Sequence, residues 1–84
     1  AYTLTLAASS SLDFPVDAVT QVVNAGTSGD YTITEGASTT LYYITPGTGR
    51  VDTAGGCTIG PGGVASIWRQ SATVYYIWGS EITA

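Results

Sequence analysis

Val64-Ala65-Ser66-Ile67-Trp68-Arg69-Gln70-Ser71-Ala72-Thr73-Val74-Tyr75-Tyr76-Ile77-Trp78 is the stretch on which the fold turns. Two short runs of β-branched and aromatic residues, Val64 to Arg69 and Thr73 to Trp78, flank a polar break at Gln70-Ser71-Ala72. That pattern reads as two strands joined by a turn. Side chains alternate across a strand, so Val74, Tyr76 and Trp78 oppose Tyr75 and Ile77. Both sides of this strand are apolar, whereas a two-layer sheet packing buries only one face of each sheet.

The same double-sided pattern recurs upstream. In the strand from Thr39 to Thr45, Leu41 and Tyr43 oppose Tyr42 and Ile44. Pro46-Gly47-Thr48-Gly49 is a strong turn signal, followed by short strands over Arg50 to Thr53 and Cys57 to Ile59. Gly60-Pro61-Gly62-Gly63 turns again, and both Gly-rich segments are expected to be hairpin turns. Toward the N-terminus, Tyr2 to Ala8 alternates as a half-buried strand, with Tyr2, Leu4 and Leu6 on one side and Thr3 and Thr5 on the other. Ser9 to Ser11 is a polar break. Residues 13–23 carry valines at helix-like spacing, but four valines and a threonine form helices poorly, so two extended pieces over 14–17 and 19–24 are preferred to a short helix. With Tyr31 to Thr34, residues 19–34 read as a hairpin. The expectation is one all-β domain over residues 1–84, a small sandwich or barrel of about seven to eight short antiparallel strands.

Composition narrows function by exclusion. The 84 residues hold 14 Thr, 11 Gly, 10 Ala and 8 Ser, with no Lys, His or Met. Two arginines against six carboxylates give a net charge of −4, and charged residues make up 10% of the chain, against roughly 25% in ordinary soluble proteins. Without His or Lys, a His-based triad, a His metal site and a Lys Schiff base are unavailable. Two positive charges cannot neutralise a run of phosphates, so nucleic acid is not expected as a partner. One cysteine rules out an internal disulfide and a multi-Cys zinc site. No apolar run approaches the ~20 residues of a helical membrane span, and no signal-peptide pattern stands in these residues. No membrane partner is expected, and Ala1 fits either loss of an initiator Met or processing from a precursor.

Asp13, Asp17, Asp30, Glu35, Asp52 and Glu81 show no paired-carboxylate spacing and no calcium-loop pattern. Cys57 has no His to activate it and reads as a buried or strand-face thiol. Neither Gly-rich turn carries the Lys-Ser/Thr of a phosphate loop. No catalytic residue, cofactor or metal site is therefore assigned, and an enzyme is not expected. Arg50 and Arg69 must each find a carboxylate or a backbone carbonyl.

What stands out is the surplus of apolar strand surface in a chain near the size limit for one self-sufficient core. Tyr42, Tyr43, Trp68, Arg69, Tyr75, Tyr76 and Trp78 are the candidate interface residues, since Tyr, Trp and Arg are enriched at protein contacts. Three readings of the aromatic residues stand: caps at the ends of the core, a subunit interface, or a ligand platform.

The segment Gly49 to Arg69, with Gly-Gly-Val-Ala at positions 62–65, followed by Thr73-Val74-Tyr75-Tyr76-Ile77-Trp78-Gly79, resembles small β-rich structural proteins of tailed bacteriophages. Val22 to Gly29 is similar to their first hairpin. Such sequences occur in capsid decoration (cement) proteins and in tail-fibre or baseplate modules. The resemblance implies a virion structural protein with no catalytic residues. Chain size favours a decoration protein on the phage head, a homotrimer clamped on the major capsid protein. The alternative is a tail module for host-receptor or glycan binding. A third, unrelated possibility is a secreted or pilus-like domain that adds strands to its neighbours.

Overall fold

The protein is described here by a computed structural model covering residues 2–6 and 15–84. Nine short strands run in the order β1 (Tyr2–Leu6), β2 (Val19–Val23), β3 (Tyr31–Glu35), β4 (Thr40–Thr45), β5 (Gly49–Asp52), β6 (Gly56–Ile59), β7 (Val64–Arg69), β8 (Val74–Gly79) and β9 (Ile82–Thr83). There is no helix among the described residues. The strands form two sheets. Sheet A has the order β1-β3-β6-β9 and sheet B the order β2-β7-β8-β4-β5.

Alternation decides what each sheet buries. Sheet A turns Leu6, Ile33, Cys57 and Ile59 inward, and sheet B answers with Leu41, Ala65, Ile67, Tyr75 and Ile77. These nine buried side chains form one core cluster, with Leu4, Val22, Tyr31, Tyr43 and Ile82 packed against it. A side chain also bridges the layers: the Glu35 carboxylate on β3 accepts the Leu41 amide of β4 at 2.7 Å. Gly79 is required where β8 runs beside β7. Its φ is +151°, and a Cβ there would overlap the Val64 carbonyl oxygen.

The all-β class and the alternation of the aromatic strands follow the expectation, and β7–β8 and β4–β5 are the antiparallel hairpins expected. Other expectations need correction. The strands are not all antiparallel, because β1 pairs β3 and β4 pairs β8 in parallel. In both cases the chain leaves a sheet, crosses to the other and returns beside its earlier strand, which side-chain period cannot reveal. Residues 19–34 are not a hairpin: β2 joins β7 in sheet B, while β3 joins β1 and β6 in sheet A. Gly60 to Gly63 is likewise a corner between sheets. The turn at Pro46 to Thr48 does close a hairpin, with the Thr48 amide on the Thr45 carbonyl at 3.1 Å.

Within the expected extended piece over 14–17, Pro15 to Ala18 is a turn instead, closed by the Ala18 amide on the Pro15 carbonyl at 3.1 Å. It feeds β2 through a bulge, since the Asp17 amide donates to the Arg69 carbonyl while the Arg69 amide donates to the Ala18 carbonyl. Two-residue β9 adds a strand that the sequence pattern does not announce. Ser9 to Ser11, Asp13 and Phe14 lie outside the described residues, as do Ala7 and Ala8 at the end of the first expected strand.

Asn24 fixes the crossing from β2 to β3. It is buried just after β2. Its amide NH2 donates to the carbonyls of Ile59 at 2.9 Å and Gly29 at 3.1 Å, and its Oδ1 accepts the Gly26 amide at 3.2 Å. Its own backbone bonds Gly63 and Gly62. One side chain thus ties the loop after β2 to the corner between β6 and β7.

Candidate functional site: the outer face of sheet B

The register brings four of the seven candidate residues onto the outer face of sheet B. Trp68 on β7 faces Tyr76 on β8, and Tyr76 faces Tyr42 on β4. Trp78 lies on the same side of β8, beside Ser66. The other three, Tyr43, Arg69 and Tyr75, point inward because each is one position out of phase. Tyr75 is a core residue with no exposed surface, and Tyr43 packs against the same core. Arg69 is buried at 4% exposure, its guanidinium donating to the Ala72 carbonyl at 3.0 Å and lying 5.4 Å from the Tyr75 ring. The aromatic residues therefore form two groups, one inside the molecule and one on its surface.

The surface group is a ladder. Trp68 and Tyr76 stack with centroids 5.3 Å apart and planes 29° apart, and Tyr42 and Tyr76 lie 5.4 Å apart at 33°. These separations follow from the ~4.8 Å spacing of neighbouring strands. Arg50 of β5 caps the ladder, its guanidinium carbon 4.5 Å from the Tyr42 centroid and its Nη1 donating to the Tyr76 hydroxyl at 3.0 Å. That hydrogen bond is the main cause of a pKa raised above the ordinary arginine value. The expectation of a carboxylate or carbonyl partner holds for Arg69, through Ala72, while Arg50 is held by aromatic groups instead.

Tyr76 is only 8% exposed although it lies outside the core cluster. Its ring is covered by its neighbours on the same face. This matters chemically. A sugar platform needs free ring faces, and here both faces of Tyr76 are occupied and one face of Tyr42 carries Arg50. The most exposed large apolar side chains of this face sit beside the ladder: Val19 at 55% and Val23 at 52% on β2, and Val64 at 38% on β7. Val19 is registered against Trp68 and Val23 against Val64. Sequence reasoning placed β2 elsewhere and so missed this strip. The Val-x-x-x-Val spacing would have found it only once β2 was paired with β7.

The outer face of sheet A is different in kind. Thr3, Thr32, Thr58 and Thr83 form one registered row across all four strands, and Thr5 and Thr34 begin a second. A shallow trough of about 450 Å³ runs over Thr32, Thr34, Thr58, Thr83 and the Gly55-Gly56 backbone. It holds no acid–base pair. Cys57 beneath it is buried, and burial pushes its thiol up to about 11. Among the described residues, no group of three or more His, Cys, Asp or Glu is placed to hold a metal ion. No family model, curated protein or solved structure matches the chain.

Proposed function

We propose that this chain is a non-enzymatic structural protein that acts by association, as a decoration protein reinforcing a bacteriophage head as an oligomer. One observation carries the reading: the outer face of sheet B combines a rigid aromatic ladder with exposed valines and few charges. Apolar surface contributes roughly 25 cal/mol per Å² when water is removed from it. A ladder already ordered by stacking loses little side-chain entropy on docking. The resemblance of the C-terminal half to small phage structural proteins supplies the setting, with the major capsid protein as the second partner. The occupied ring faces of Tyr76 and Tyr42 weigh against a glycan-binding tail module that uses these two rings.

The test is where the protein sits in particles of the phage that encodes it. Heads and tails are separated and analysed by mass spectrometry. Stoichiometric presence in the head fraction, reduced by Trp78→Ala, is the expected outcome. Presence only in tails transfers the protein to the tail module, and absence from both overturns the virion reading.

A further inference from the structure

The two edges of sheet B are built differently. At β5, the Thr53 amide donates to the Leu41 carbonyl, which sets the odd-numbered residues of β5 against β4. The backbone groups left free there belong to Arg50 and Asp52, whose charged side chains discourage another strand from pairing. At β2 the bonds from Arg69 to Ala18 and from Asn24 to Gly63 set the even-numbered residues against β7. The backbone N–H and C=O groups of Val19, Gln21 and Val23 therefore point away from the sheet. This edge carries no charge, no proline and no bulge within Val19–Val23. The same three residues are exposed on the outer face.

We infer that β2 pairs antiparallel with β2 of a second copy of this chain, around a two-fold axis at Gln21. The pattern Val19-Gln21-Val23 is its own complement under that operation. Val19 meets Val23 of the second copy twice, and Gln21 meets Gln21 once. Three hydrogen-bonded pairs of residues join two five-stranded sheets into one of ten, and the valine strips merge. The inference rests on the reading that the protein self-associates and gives it a partner and a register. It replaces a three-fold arrangement of these edges, in which β2 would meet the charged β5 edge of the next copy. A five-residue edge contact lies at the small end of specific interfaces, so the pair forms and separates with concentration.

The experiment has two arms on the intact chain. Sedimentation from micromolar to millimolar protein compares the wild type with a Val19→Lys/Val23→Lys double variant. The substitutions are at exposed positions, and the register places Lys directly against Lys at both sites, so association is expected to weaken at least about tenfold. In the second arm, Gln21→Cys is mildly oxidised beside Thr20→Cys and the wild type. Hydrogen-bonded antiparallel partners stand ~5.5 Å apart at Cα, within disulfide reach. A covalent dimer from Gln21→Cys but not from Thr20→Cys, whose side chain faces inward, is the expected result. Self-association that survives the Lys pair, or that gives no Gln21→Cys dimer, overturns the β2 pairing and leaves self-association standing. A wild type that stays monomeric throughout overturns both.

Discussion

Replacing Asn24 by Asp exchanges one nitrogen for one oxygen and leaves shape almost untouched. In the native protein that nitrogen donates to two carbonyls, of which Ile59 belongs to a residue with no exposed surface. In Asn24→Asp at pH 7 a carboxylate oxygen faces the two carbonyl oxygens with no hydrogen between them. Asn24→Ala sets the scale, because it deletes the donor without adding a charge. Leaving the Ile59 carbonyl unsatisfied costs about 1–3 kcal/mol, while the Gly29 carbonyl and Gly26 amide, at exposed residues, regain water. The carboxylate adds the penalty of an uncompensated buried charge, for a total of about 3–5 kcal/mol. A domain of this size has a total stability of roughly 4–12 kcal/mol, so the Asp variant stands near the limit of folding. The pH dependence separates the two variants. Burial among carbonyls raises the folded-state pKa of the carboxyl introduced at position 24 above its value in the unfolded chain. The Asp variant is therefore most stable below the unfolded value and loses stability as pH rises through the folded one. Urea unfolding followed by Trp fluorescence from pH 4 to 8 measures both effects. An Asp variant as stable as the Ala variant at pH 7, or one whose stability does not fall with rising pH, would refute the account.

Two further outcomes are expected. Burial raises the Cys57 pKa from 9.0 to about 11, so its contribution is full below pH 9 and is lost as pH climbs toward 11. The shift corresponds to about 2–3 kcal/mol, and a Cys57→Ala variant should lack this alkaline loss in urea titrations. The stacked pair at the head of the ladder should show a coupling of about 0.5–1.5 kcal/mol in a Trp68→Ala/Tyr76→Ala double-mutant cycle, and additivity within error would mean the rings merely sit side by side.

The division of the aromatic strands into two sides was legible in the sequence; which side faces out, and the valine strip, were not, so that Tyr43, Arg69 and Tyr75 were grouped with the surface residues. Which side of a strand a residue takes depends only on local period, so Tyr42, Trp68, Tyr76 and Trp78 could be separated from Tyr75 and Ile77 by counting. Which strand lies next to which depends on contacts far apart in sequence. Val19 and Val23 gained meaning only when β2 was found beside β7, across more than forty residues. The turn-like run from Asn24 to Asp30 invited a hairpin. It is instead held as a crossing by the buried Asn24, whose partners Ile59 and Gly63 no local rule connects to it. The parallel pairs β1–β3 and β4–β8 escaped for the same reason.

The threonine face of sheet A makes the two strand faces electrically unlike. Every charged side chain that points outward from a described strand, Arg50 and Asp52, belongs to sheet B. The outward positions of sheet A's described strands are threonines and Gly56, whose hydroxyls and methyls neither titrate nor gather counterions at any ordinary pH. Salt and acidity thus act on the outward strand side chains of sheet B and pass those of sheet A by.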